Sequence, residues 1–212
     1  MQLVDKTNKI ELPPLVATIG FFDGVHTGHR YLIDQVIEEA AKRGLPSAVI
    51  TFPVHPRKVL QKDYQPALLC GYDEKIERLA TTGIDYCICL DFTVEISQMS
   101  AKRFMQNILK EKLNVDSLII GYDHRFGHNR EDDFSDYERY GSEIKMQVIE
   151  AKALPGLEHV SSSRIRKLLA EGYIRKAGKL LSYNYTISGK IVEGFKVGRT
   201  IGFPTANIQI WE

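Results

Sequence analysis

The 212-residue chain is 43% apolar and 26% charged, the balance of a soluble globular protein long enough for one full domain and part of a second. Its formal charge of +1 gives no global attraction for nucleic acid or an anionic membrane, so any anion site has to be built locally. Cys70, Cys87 and Cys89 follow no zinc-binding spacing, and the opening MQLVDKTNKIELPP lacks the features of a signal peptide, so a reduced, cytoplasmic protein is expected.

Residues 15–22 (LVATIGFF) predict a first strand, and the segment 29–44 after it carries Leu32, Ile33, Val36, Ile37 and Ala40 at helical spacing up to Gly44. A second strand is expected at 47–52, then the proline-bounded loop FPVHPRK, then a helix over 72–83. Strand 85–92 would place Cys87 and Cys89 on one face, and Ser100 is suited to cap a helix over 100–113. Strands at 117–121 and 146–154 follow, with GYDHRFGHNR between them, and VSSSRIRKLL opens an amphipathic helix over 160–169. No apolar run approaches the ~18 residues of a membrane span. Strand–helix alternation of this kind predicts an α/β fold with a parallel sheet covered on both faces. Ligands of such sheets bind beyond the carboxyl ends of the strands, where FFDGVH, FPVHPRK and GYDHRFGHNR all fall.

The stretch TIGFFDGVHTGH carries the chemistry most directly. Gly20 and Gly24 allow a tight turn, and a helix starting near Gly28 offers free N–H groups and the positive end of its dipole to a phosphate. His26 and His29 share one face of that first turn, although one capping the turn and the other packing is the plainer alternative. A zinc pair lacks a third ligand at a usual spacing, and no GxxxxGK[ST] loop exists in the chain. In VSSSRIRKLL a serine cap explains one serine, but Arg164 and Arg166 sit at a helix start where cations are disfavoured unless an anion is bound.

GFFDGVHTGH resembles the HxGH signature of the nucleotidylyltransferase superfamily, in the form seen in bacterial FAD synthetases, with Phe21 where a small or polar residue is usual. VSSSRIR resembles the second superfamily signature, ISSTxxR, some 130 residues further on. The resemblance implies a Rossmann-like fold binding ATP through Gly20, Phe21, Phe22, Asp23, Gly24, His26, His29, Ser162, Ser163 and Arg166, with His26, His29 and Arg166 as catalytic groups. TFPVHPRKVL and GYDHRFGHNR resemble the flavin loops of that family, which implies flavin contacts from His55, Arg57, Asp123 and Arg125; His124 stands where Phe is usual.

From about Ser182 the chain is rich in glycine and β-formers, and some 30 residues cannot bury a core of their own. GRTIGFPTANI is similar to the riboflavin kinase signature, which implies metal and nucleotide contacts from Thr205 and Asn207 in a complete kinase domain only. The linker LSYNYTISGK departs from the usual LGRPYxxxGx. The expectation is an FMN adenylyltransferase domain over 1–182, followed by the start of a β-barrel kinase domain over 183–212. The implied reaction is ATP + FMN giving FAD and pyrophosphate, with Mg²⁺ on the phosphates and small molecules rather than nucleic acid or membrane as partners. Another HxGH adenylyltransferase and a non-catalytic flavin- or nucleotide-binding module remain the alternatives.

Overall fold

The computed structural model describes residues 1–8, 10–61, 63–65, 67–121, 125–128, 131–153, 156 and 160–210. Its elements run β1 (Gln2–Val4), β2 (Leu15–Ile19), α1 (Thr27–Arg43), β3 (Ser47–Thr51), α2 (Pro56–Leu60), α3 (Tyr72–Ala80), β4 (Tyr86–Cys89), α4 (Val94–Ser97) and α5 (Ala101–Arg103). The last continues into a π-helical stretch, Phe104–Lys112, before β5 (Val115–Ile120), α6 (Phe134–Glu143), β6 (Gln147–Glu150), α7 (Ser162–Ala170) and α8 (Ile174–Leu181). A smaller unit of β7 (Gly189–Val192), α9 (Val197–Thr200) and β8 (Asn207–Ile210) ends the described chain.

The first six strands form one sheet in the order β1-β4-β3-β2-β5-β6, every neighbouring pair parallel. This is a Rossmann-like α/β sheet. After β2 the chain moves to one side through β3 and β4, then crosses back to place β5 on the other side of β2. The loops leaving β2 and β5 therefore part from each other and open a crevice at the carboxyl edge.

Alternation along β2 divides the core. Leu15, Ala17 and Ile19 pack with Ala48, Ile50, Leu118 and the π-helical Met105 and Leu109 on one face. Val16 packs with Val49, Ile119 and the α1 residues Ile33, Val36 and Ala40 on the other. The apolar stripe expected on α1 is the one that is buried, and Gly44 ends the helix at φ 65° with its N–H on the carbonyls of Ala40 and Ala41. A third cluster, Leu69, Ile165, Ala177 and Leu181, seats α7 and α8 beside the sheet. The β7–β8 pair is antiparallel and forms a separate two-stranded sheet.

Each of the five expected strands is present, and all five end earlier than the apolar runs suggest. Residues 20–22, for example, leave the sheet because Phe22 turns into the left-handed region at φ 55°. The proline-bounded loop after β3 contains the short helix α2, because Pro56 fits the first helical turn and His55 Nδ1 caps it by accepting from Arg57 N at 3.1 Å. Elements outside the sequence reading include β1, the short helices α4 and α9, α6 with its Asp133–Asp136 capping box, and α8.

Candidate active site

The crevice over the β2–β5 switch point opens into a cleft of about 500 Å³. Its floor is the β2 end and the following turn, from Ile19 to Asp23 with His26. Gly28, His29, Tyr31, Leu32 and Gln35 of α1 line one wall, and Ser161, Ser162 and Arg166 of the α7 start line another. Ala151, Lys152 and Ala153 border it beyond β6, and His55 stands at its far edge.

Two helix N-termini thus meet in one cleft, each with unpaired first-turn N–H groups and the positive end of a dipole. At α1 the turn Asp23–Val25 delivers the chain to His26, which caps the helix: its Nδ1 accepts from His29 N at 3.3 Å. That bond fixes the neutral tautomer of His26 with its proton on Nε2. The two imidazoles stack at 3.6 Å with 15° between their planes, and the Phe22 ring meets His29 edge-on at 5.1 Å. Burial pulls the His26 pKa down to about 4. Burial, then His26 and Lys75, hold His29 well below the usual imidazole range. Both rings are therefore neutral donors at physiological pH. Gly28 keeps the approach narrow: a Cβ there would lie 3.4 Å from the His26 ring.

At α7 the helix cap is Ser161, which accepts from Arg164 N at 3.2 Å, while Ser162 donates to the Asp23 carbonyl at 3.0 Å. Arg166 donates to Asp23 Oδ2 at 2.6 Å and to Ser163 Oγ at 3.1 Å. Asp23 Oδ1 accepts from Leu69 N at 2.8 Å. Asp23 is thus the latch that joins segments 143 residues apart in sequence. Its burial raises the carboxyl pKa; the Leu69 N–H and then Arg166 oppose that rise.

Of the nucleotide residues expected from sequence, Gly20, Phe21, Phe22, Asp23, His26, His29, Ser162 and Arg166 line the cleft. Gly24 lies behind it at φ 76°, against Leu69, and Ser163 reaches it only through Arg166. The flavin residues are less gathered. His55 meets the Phe21 ring edge-on at 4.7 Å, whereas Arg57 is exposed and faces Tyr64 at 5.2 Å. Arg125 is exposed and donates to the Asp132 carbonyl at 2.7 Å, away from the cleft lining. Asp123 and His124 lie outside the described residues. Thr205 and Asn207 border a second cavity of about 200 Å³ between the β7 and β8 ends.

Sequence reasoning missed Lys75, which lies on α3 among charged neighbours. It is buried under the loop, donating to the carbonyls of Phe52 at 2.8 Å and Phe21 at 3.2 Å, with its ammonium 4.1 Å from the centre of the Phe21 ring. It also missed Gln35, whose carboxamide grips the backbone of Lys152 at both its N–H (2.7 Å) and its carbonyl (3.3 Å).

Among the described residues no three His, Cys, Asp or Glu side chains gather to hold a metal, and Asp23, the one acid among those lining the cleft, is already committed. Among the described residues a divalent cation therefore finds no protein cage here. No helix among the described residues is long and apolar enough to cross a membrane.

Comparison with known proteins agrees with this architecture. The family model for FAD synthetase matches residues 8–164, and that for riboflavin kinase matches residues 181–212. The bifunctional riboflavin kinase/FMN adenylyltransferase of Escherichia coli (strain K12) is 39% identical over 196 residues, 92% of this chain and 63% of that protein. The protein of the same name from Listeria monocytogenes is 37% identical over 198 residues, again covering 63% of its length. A crystal structure described as a macrolide-efflux protein from Streptococcus pneumoniae superposes with a TM-score of 0.84 at 28% identity, covering 99% of this chain and 69% of that one. The chain spans about 63% of the length of these curated relatives. On the match over residues 8–164, the chain belongs to the FAD synthetase family.

Proposed function

We propose that this chain is an FMN adenylyltransferase, which transfers AMP from ATP to FMN and releases pyrophosphate. The observation that carries the reading is the convergence of two helix N-termini, a stacked neutral histidine pair and Arg166 on one cleft. That arrangement is built for a polyphosphate.

A phosphate oxygen of FMN attacks the α-phosphorus of ATP in line, the bond from that phosphorus to the bridging oxygen breaks, and pyrophosphate leaves with the electron pair. No protein nucleophile takes part. His26 and His29 donate N–H groups to the charge that builds at the α-phosphate. The start of α7, with the N–H groups of Ser162 and Ser163 and the guanidinium of Arg166, holds the leaving pyrophosphate. Catalysis of this kind is positioning plus electrostatic stabilisation. Mg²⁺ enters as part of the MgATP substrate. His55, Arg57, Asp123 and Arg125 remain the proposed flavin contacts, with His55 already at the edge of the cleft.

Residues 1–182 are the transferase unit in this reading, and residues 183–212 open the kinase unit, whose phosphate and metal contacts would include Thr205 and Asn207. The enzyme is a cytoplasmic one. The decisive variant is His29→Ala: losing one transition-state donor should lower turnover by about 10²–10³-fold in a steady-state assay of FAD formation. Turnover within threefold of the wild type would remove His29 from this role.

A further inference from the structure

The loop at the cleft floor, which on the reading above meets the phosphates of ATP, has carbonyl oxygens as well as N–H groups, and carbonyls repel an anion. Four successive carbonyls of this loop each hold a donor. Phe21 O accepts from Thr51 Oγ1 and Lys75 Nζ, both at 3.2 Å. Phe22 O accepts from Val25 N at 3.1 Å. Asp23 O accepts from Ser162 Oγ at 3.0 Å, and Gly24 O accepts from the Tyr183 hydroxyl at 2.7 Å. Only the Phe22 bond is local; the other donors come from β3, α3, α7 and the segment after α8.

Tyr183 is the most distant of them in sequence, 159 residues from its acceptor. It follows α8 where Ser182 turns into the left-handed region at φ 66°, inside the linker that departs from the family pattern. Its ring lies under the Arg78 guanidinium at 3.4 Å. Arg78 in turn pairs with Glu74, and both bond Thr186 Oγ1, at 3.3 Å and 3.0 Å respectively. Thr27 Oγ1 donates to the Leu180 carbonyl at 2.9 Å, a second stitch between α1 and the end of α8. Burial raises the phenol pKa, so the hydroxyl stays a donor throughout the working pH range.

We infer that Tyr183 is a positioning residue for nucleotide binding: by holding the Gly24 carbonyl, while the Gly24 N–H donates to Cys70 Sγ at 3.3 Å, it fixes the turn that delivers His26 and the start of α1 to the cleft. A buried carbonyl left without its donor would seek a new partner by rotating its peptide, which would disturb the glycine turn at φ 76° that delivers His26. The inference deepens the adenylyltransferase reading and rests on it. It also makes the linker to the second unit a structural part of the ATP site, because the same Tyr183 ring is clamped by α3.

Tyr183→Phe tests this, because it removes one oxygen and leaves the ring on Arg78. ATP affinity, measured by calorimetry, should weaken about fivefold, the size of losing one hydrogen bond. The KM for ATP should rise in step, the KM for FMN should stay within twofold, and Tm should move by less than about 3 °C. Tyr183→Ala should add a clear Tm loss to the same binding defect. ATP affinity and the KM for ATP unchanged in Tyr183→Phe, with only Tm lowered in Tyr183→Ala, would make Tyr183 a packing residue and overturn the inference. If the wild-type chain binds ATP but forms no FAD, the transferase reading fails, while the calorimetric comparison still decides the role of Tyr183.

Discussion

Replacing Asp23 tests whether one carboxylate joins the two phosphate-facing helix starts. In Asp23→Ala the Leu69 N–H, inside the protein, loses its acceptor at 2.8 Å, which costs about 1–3 kcal/mol. The ion pair with Arg166 is lost as well, but the Arg166 side chain is 34% exposed, so solvent recovers most of its energy and about 1 kcal/mol remains. The sum is about 2–4 kcal/mol, and for a chain of this size each kcal/mol lowers Tm by about 2–4 °C. Thermal unfolding should therefore drop by about 5–15 °C. Arg166 freed from Asp23 would also have to be ordered again on substrate, so kcat/KM for ATP should fall about tenfold. Asp23→Asn separates the two effects: it retains an acceptor for Leu69 and most of the stability, yet loses the charge that aims Arg166. Wild-type Tm and kcat/KM within twofold in both variants would refute the latch.

Protonation supplies a second test. The His26 pKa is depressed to about 4 in the folded chain, against about 6.5 unfolded, so the unfolded state binds the extra proton between those values. Stability from this group is complete above pH 6.5 and falls as the pH drops toward 4, by about 3 kcal/mol in all. Urea midpoints followed from pH 7 to 4.5 should show that slope on top of the one His29 adds in the same direction, and His26→Asn should make the total shallower; parallel slopes would exclude His26 as a source. Gly24→Ala meets both a φ of 76° and a Cβ placed 2.8 Å from Leu69 Cδ1, so about 2–3 kcal/mol of stability and much of the ATP affinity should be lost together. Gly141→Ala is the contrasting case. Its Cβ would fall 2.5 Å from the Met146 carbonyl, and neither residue lines the cleft, so Tm should drop by several degrees while kcat/KM at low temperature stays unchanged.

Much of the sheet was legible because β2, β3, β4 and β5 are buried runs of four to six residues between turn residues. β1 was not, because three residues gain their conformation only by pairing with β4 at the sheet edge. α6 carries few apolar residues, and its start is written in the Asp133 capping box rather than in periodicity. The histidine pair was legible because its i, i+3 spacing and the glycines before it are local features. The supports of the loop were not: Lys75, Tyr183 and Gln35 act across 54, 159 and 117 residues, and nothing local distinguishes them from surface polar groups. Three serines in a row at α7 could not be told apart by sequence, yet in the fold Ser161 caps the helix, Ser162 holds the Asp23 carbonyl and Ser163 meets Arg166.

The most direct test of the central claim incubates the purified chain with ATP and Mg²⁺, adding FMN in one arm and riboflavin in the other, and separates the flavins by chromatography. FAD and pyrophosphate formed in equal amounts from FMN is the predicted result. A folded chain that binds ATP but yields no FAD from FMN would contradict it.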